Sequence, residues 1–203
     1  MEVLYRDNYI IAFNKPKNLL VIPNKNEKSN TLVNIVNRLF SSYPNMPKLN
    51  PCHRLDRETS GAILFAFGKK NQKIFMDMFA THLIHKKYIA IVNGNIKQSS
   101  GIIDIKIEGK DAITKYKVIN SENEWTSVEI ELVTGRTNQI RIHFSNIGHP
   151  LIGESKFAFR KDFKIKANRV LLHSRELSFI HPIINENTII LAPIPEDIKK
   201  YIT

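Results

Sequence analysis

The sequence predicts a mixed α+β fold built on a largely antiparallel sheet. Two observations carry the prediction: many short apolar or alternating runs bounded by turn residues, and only a few stretches with helical apolar spacing set between them. At 203 residues and 42% hydrophobic content the chain can bury a substantial core. No repeat, low-complexity tract or composition break marks a linker, so one domain spanning 1–203 is expected.

In order, Ile10 to Phe13 reads as a short buried strand that ends at Lys15-Pro16. Leu32, Ile35, Val36, Leu39 and Phe40 recur at helical spacing, which predicts a helix over Thr31 to Phe40 with Ser29 or Asn30 as its cap. Ser41 to Pro51 contains Pro44, Pro47 and Pro51 and reads as an exposed loop. Ala62 to Phe67 predicts a strand, and Asn71 to Leu83 a helix facing the core through Ile74, Phe75, Met78 and Phe79. Lys87 to Val92 predicts a strand closed by the turn Asn93-Gly94. Ile102 to Ile107, Thr114 to Ile119 and Val128 to Leu132 alternate as strands do. Gly135 breaks that run. Thr137 can cap a helix from Asn138 to Ile147, and Gly148 followed by Pro150 stops it. Short strands follow near Val170 to Leu172, Leu177 to Ile180 and Thr188 to Leu191.

Thirty Lys and Arg against 19 Asp and Glu leave a net charge of +11, which suits a polyanionic partner, nucleic acid first. The same balance also follows from a Lys-, Ile- and Asn-rich composition, so charge supports a functional reading without making one. The single Cys52 excludes an internal disulfide and fits a reducing compartment. With no signal-peptide pattern, and no apolar run near the roughly 20 residues a bilayer requires, a cytoplasmic protein is expected. The histidines, His82 and His85 included, lack the accompanying cysteines or carboxylates of a metal site, so no metal is expected. Monomer is the default.

The stretch His53-Arg54-Leu55-Asp56-Arg57-Glu58-Thr59-Ser60-Gly61 sets one carboxylate between two arginines, on a polar loop feeding an apolar run. Loops held by a scaffold are where catalytic groups tend to sit. By itself the stretch equally describes a surface ion pair or a capped turn. A distant second segment, Gly135-Arg136-Thr137-Asn138-Gln139-Ile140-Arg141-Ile142-His143, supplies a candidate partner.

Together HRLDRETSGAILFA and GRTNQIRIHFSNIGHPLIG resemble the hallmark strings of the RluA family of pseudouridine synthases. FNKP at Phe13 to Pro16, KKYIAIVNG at Lys86 to Gly94 and the tail from Leu171 to Pro193 fall in the family's order, so the resemblance covers nearly the whole chain. It implies the pseudouridine synthase catalytic fold, with an active-site cleft across the sheet, in a short form without the N-terminal S4 domain of many members. The implied partner is RNA, ribosomal or transfer, with no cofactor.

The resemblance also implies residue roles. Asp56 is the nucleophile or base, Tyr88 stacks on uracil and assists removal of the C5 proton, and Arg141 is the ion-pair partner that positions Asp56. Arg141 lies about 100° from Ile140 on the helix, at the flank of its apolar stripe. Arg54 either fills the gap left by a flipped nucleotide or contacts a phosphate. His53 and His143 are hydrogen-bonding supports. Lys15, Arg57, Lys87, Arg136 and Asn138 belong to the RNA-binding set with His53 and Arg54. Lys69, Lys70, Lys73, Lys86, Arg160, Lys161, Lys164 and Lys166 are further basic residues for the RNA path, with solvated surface the equal alternative.

Asn138 replaces the family's usual histidine and Glu154 its usual aspartate; both departures are expected to leave Asp56, Tyr88 and Arg141 untouched. Two other functions compete. Cys52-His53 reads as a thiol and base pair, although neighbours in an extended segment point apart. The other alternative is an RNA-binding or ribosome-assembly protein of the same fold without essential catalysis.

Overall fold

Every residue of Ser60–Phe67 is buried, which a strand achieves only when both its faces are covered. The computed structural model in which this is seen describes residues 1–43, 46–158 and 163–202. Where the sequence shows no linker, the chain forms two units, Met1–Ile84 with Glu176–Pro193 and His85–Arg175 with Ile194–Thr203. One passage between them, from Arg175 to Glu176, lies inside a strand, where no composition shift could mark it.

In the first unit β1 (Val3–Arg6) pairs antiparallel with β2 (Ile10–Lys15) through a short turn. Asp7 shapes that turn by accepting the Tyr9 and Ile10 N–H groups at 2.7 and 2.8 Å. Helix α1 (Leu32–Phe40) buries Leu32 and Val36, while Leu39 is exposed. Its cap position is Thr31, without a side-chain capping bond, so neither Ser29 nor Asn30 serves as expected. The stretch expected to be a loop closes in a strand, β3 (Leu49–Pro51), whose Leu49 backbone also exchanges hydrogen bonds with the Asn37 side chain. Ser60–Phe67 is β4, which pairs antiparallel with β2 and β3. Helix α2 (Gly68–Ala80) starts three residues ahead of its expected position and buries Phe75 and Met78. The core gathers Ile10, Ala12, Ala62, Leu64, Phe75 and Met78 with Leu177, Phe179 and Ile190 from the returning chain.

The second unit opens with β5 (His85–Asn93), then β6 (Ser100–Asp104), β7 (Ile113–Ser121) and β8 (Trp125–Leu132). Their order is β5-β8-β7-β6, antiparallel at each step. Strand β6 ends at Asp104, short of the expected Ile107, because Glu108 and Gly109 take positive φ in a turn bridged by Ile107 and Lys110. Helix α3 (Gln139–Asn146) follows, and Gly148 (φ +80°) ends it as expected. Of the strand expected near Val170 to Leu172 only Leu172 is strand, as the first residue of β9 (Leu172–Ile180), which runs on through buried His173 and Ser174 to the expected Leu177 to Ile180. β10 (Asn187–Leu191) pairs antiparallel with β9, and α4 (Glu196–Lys199) follows near the C-terminus. Arg169 anchors α4 through Asp197, with bonds of 2.8 and 2.7 Å. A second core joins Ile89, Ile91, Trp125, Ile152, Leu171, Ile198 and Tyr201. Among the described residues, no helix is long and apolar enough to cross a membrane.

Candidate active site

Asp56 sits half-buried in the loop between β3 and β4. The loop is braced at both ends. On one side the Cys52 N–H donates to the Leu64 carbonyl at 2.9 Å, and the Leu64 N–H donates to His53 Nε2 at 3.0 Å. The His53 ring stacks on Phe79 at 4.3 Å. His53 is therefore fixed as a support, with Nε2 the unprotonated acceptor. Beyond Asp56, the Thr59 N–H donates to the Asp56 carbonyl at 3.2 Å, and buried Leu55 and Thr59 pin the backbone inward.

Lys15 corrects one expectation. It is fully buried, and its ammonium donates to the carbonyls of Pro16, Leu19 and Arg57 at 3.0, 2.8 and 3.1 Å. An ammonium has three N–H groups, so this lysine braces the Asp56 loop instead of lining the RNA path. Arg57, half exposed, ties the same loop to the 18–27 segment through Glu27 at 3.0 Å and the Asn18 carbonyl at 3.4 Å. Arg54 is exposed, with no hydrogen bond or ion pair among the described residues.

The Cys52-His53 reading fails here. Burial pushes the Cys52 thiol up to about 12, so thiolate is scarce at neutral pH. The imidazole is committed to the Leu64 N–H.

In the second unit, β5 alternation sends Lys86, Tyr88, Ala90 and Val92 to one face and Lys87, Ile89 and Ile91 to the other. Tyr88 is 6% exposed and lies opposite Ile130 of β8. Lys87, on the other face, reaches Glu129 at 4.0 Å.

Arg141 on α3 is 4% exposed, deeper than a flank position predicts. Its Nε and Nη2 donate to the two carboxylate oxygens of Glu154 at 2.7 and 2.8 Å, and Nη1 donates to Asn138 Oδ1 at 3.0 Å. Both departures from the family pattern thus touch Arg141, against expectation. Glu154 Oε1 also accepts the Ser155 and Lys156 N–H groups at 2.9 and 2.8 Å. Burial opposes ionisation of Glu154, but the Arg141 and backbone hydrogen bonds and the guanidinium charge together prevail, holding the carboxyl below the usual range. Phe157 covers the guanidinium at 5.3 Å from its ring centre. Gly153 is required beside it: φ is +85°, and a Cβ would lie 1.8 Å from the Arg169 carbonyl oxygen.

The start of α3 is held differently from the expected Thr137 cap. Asn138 occupies the cap in left-handed conformation (φ 55°), which asparagine tolerates. The Gln139 amide oxygen accepts the Thr134 hydroxyl and Arg136 N–H at 2.8 and 2.9 Å, while its NH2 reaches the Ile113 carbonyl and Thr114 hydroxyl, both at 3.0 Å. Arg136, exposed, donates to the Asp111 carbonyl at 3.0 Å. His143 is buried with Nε2 at 2.9 Å from the Ile105 carbonyl, and desolvation lowers its pKa. Sequence reasoning missed Gln139 and Glu154 as the organisers of this helix; their placement between Thr137 and Gly153-Ser155 in the family string was the available signal.

Lys86 is also buried. Arg160 and Lys161 lie outside the described residues, and Lys164 pairs with Glu124 at 3.3 Å. Among the described residues, no group of three or more His, Cys, Asp and Glu is placed to hold a metal ion.

The family model described as RNA pseudouridylate synthase matches residues 9–146. The dual-specificity RNA pseudouridine synthase RluA of Vibrio cholerae is 34% identical over 201 residues, spanning 90% of this chain and 78% of that protein. Ribosomal large subunit pseudouridine synthase D of Xylella fastidiosa is 29% identical over 227 residues, spanning 98% of this chain and 67% of that protein. The solved structure of human RNA pseudouridylate synthase domain containing 4 shares the fold with a TM-score of 0.82 at 24% identity, over 98% of this chain and 90% of that one. With the family match running through both the Asp56 loop and the Arg141 helix, the chain belongs to the RNA pseudouridine synthases of the RluA type, which are isomerases.

Proposed function

We propose that this isomerase converts specific uridines to pseudouridine in structured RNA, ribosomal or transfer, with Asp56 as nucleophile or base, Tyr88 assisting C5 deprotonation and Arg141 positioning Asp56. The reaction breaks the bond from C1′ to N1, turns the uracil and joins C5 to C1′; the C5 proton leaves and N1 gains one. It is redox-neutral. The protein must supply a group acting at the sugar or base, a route for the C5 proton and a site that retains the detached uracil. Exposed Arg54 suits entry into an RNA stack from which the target base has been flipped.

The observation that carries this reading is the bracing of Asp56. Lys15, His53 and Arg57 tie its loop to the scaffold from both sides, as expected of a loop that must hold one carboxylate still. Ribosomal RNA is favoured by the name of the Xylella fastidiosa relative.

Asp56→Asn keeps the size of the side chain and removes its charge. Tritium release from 5-tritiated uridine in RNA is expected to fall by at least about 10³-fold, with filter binding and folding retained. Turnover near the wild-type rate would refute the assigned mechanism, and loss of binding with an intact fold would move Asp56 to recognition. Tyr88→Phe retains stacking and loses the hydroxyl, so product formation is expected to drop about 10²-fold or more with near-normal binding. Wild-type activity in that variant would reassign Tyr88 to packing.

A further inference from the structure

Lys86 differs from the other buried cations described above. It is 7% exposed on β5, and alternation places it on the same face as Tyr88, two residues or about 7 Å along the strand. Its ammonium lies 3.6 Å from the point a Cβ on Gly135 would occupy. Gly135 itself is exposed and carries no side chain to cover the ammonium. Among the described residues, Lys86 has no hydrogen-bond acceptor and no ion-pair partner. Burial accordingly lowers its pKa. The stem is enclosed while the ammonium keeps some contact with solvent beside Gly135, and partial desolvation without a carboxylate or carbonyl opposes folding. Such a group, next to an opening and beside a tyrosine assigned to the reaction, is arranged for a partner that arrives with the substrate.

We infer that the Lys86 ammonium contacts the substrate, pairing with an anionic oxygen of the nucleotide being isomerised. The inference rests on the assignment of the Tyr88 face to uracil. Two oxygens share the required chemistry. A phosphate oxygen carries its charge throughout. A uracil carbonyl oxygen acquires charge when the bond from C1′ to N1 breaks and the electron pair, left on N1, spreads to O2 and O4. Gly135 has a matching role: a side chain there would stand between the ammonium and the incoming oxygen.

The test uses the full chain and two variants, Lys86→Met, which keeps the length of the stem, and Lys86→Gln, which keeps a donor without charge. Tritium release is measured against RNA concentration, with filter binding across a salt series and thermal unfolding on the same preparations. The expected result is a melting temperature at or above wild type, together with a loss of about 10- to 100-fold in kcat/KM, the worth of one charge-assisted hydrogen bond. A loss confined to kcat identifies the uracil oxygen. A loss confined to affinity, with a shallower salt dependence, identifies the phosphate. A folded variant with wild-type kcat and KM overturns the inference, as does a melting temperature that falls along with activity, since the lysine would then serve the fold. If the wild-type chain forms no pseudouridine in any RNA offered, the proposed function fails, whereas wild-type turnover matched by both variants sinks the Lys86 contact alone.

Discussion

Lys15 in the first unit and Lys86 in the second are both buried strand lysines, and they are treated in opposite ways. Lys15 meets three backbone carbonyls, the farthest in sequence that of Arg57. Lys86 meets the bare backbone near Gly135 and no acceptor among the described residues. Arg141 follows the first pattern with a carboxylate in place of carbonyls. Burial alone therefore does not tell a structural cation from a functional one. The deciding question is whether the protein itself supplies the counter-dipoles, because a satisfied buried cation stabilises its surroundings and an unsatisfied one requires an external partner.

The largest stability effect is expected at Lys15. Lys15→Met removes the donor from three carbonyls and should cost about 3–5 kcal/mol in urea unfolding, the range seen when one partner of a buried charged arrangement is lost. A cost under about 1 kcal/mol would erase the contrast with Lys86→Met, for which no loss is expected. Next is Glu154→Gln, which removes the Glu154 charge from beside the buried guanidinium while keeping an amide oxygen to accept. A loss of about 2–3 kcal/mol is expected, read from the same transition. In Arg141→Lys the charge survives but one ammonium cannot span both Glu154 oxygens. Turnover should fall about 10- to 100-fold, and wild-type turnover would show that the paired geometry has no part in catalysis.

The smallest effects concern pH. Glu154 has a folded pKa below its ordinary 4.5, so its contribution is complete above that value and is lost as pH falls through the folded pKa. His143 is also lowered, from 6.5, chiefly by desolvation; the fold prefers the neutral ring. Its contribution is present above pH 6.5 and declines below it, as the unfolded chain binds the proton first. Melting temperature followed from pH 7 to 5 should fall less in His143→Gln than in wild type. Identical slopes would mean that His143 does not drive the decline.

Much of the fold could be read along the chain because strand alternation and helical spacing are local. β2, β4, β5, β7 and β8 contain the runs expected of them, and the two long motifs sit on the expected loop and helix. β3 and the course of β9 were not legible, since Leu49–Pro51 becomes strand by pairing with β4 and the polar His173-Ser174 pair lies buried inside a strand. The same division runs through the candidate site. The sequence by itself determined the family and nominated residues for the chemistry, because those are matters of residue type and spacing. Only the tertiary structure decided that Lys15 braces the Asp56 loop, that Glu154 holds Arg141 and that Lys86 has no protein acceptor among the described residues. A buried charge is satisfied by groups that folding brings near it, and Lys15 and Arg57 are 42 positions apart, a separation at which no local pattern of side chains can announce the pairing.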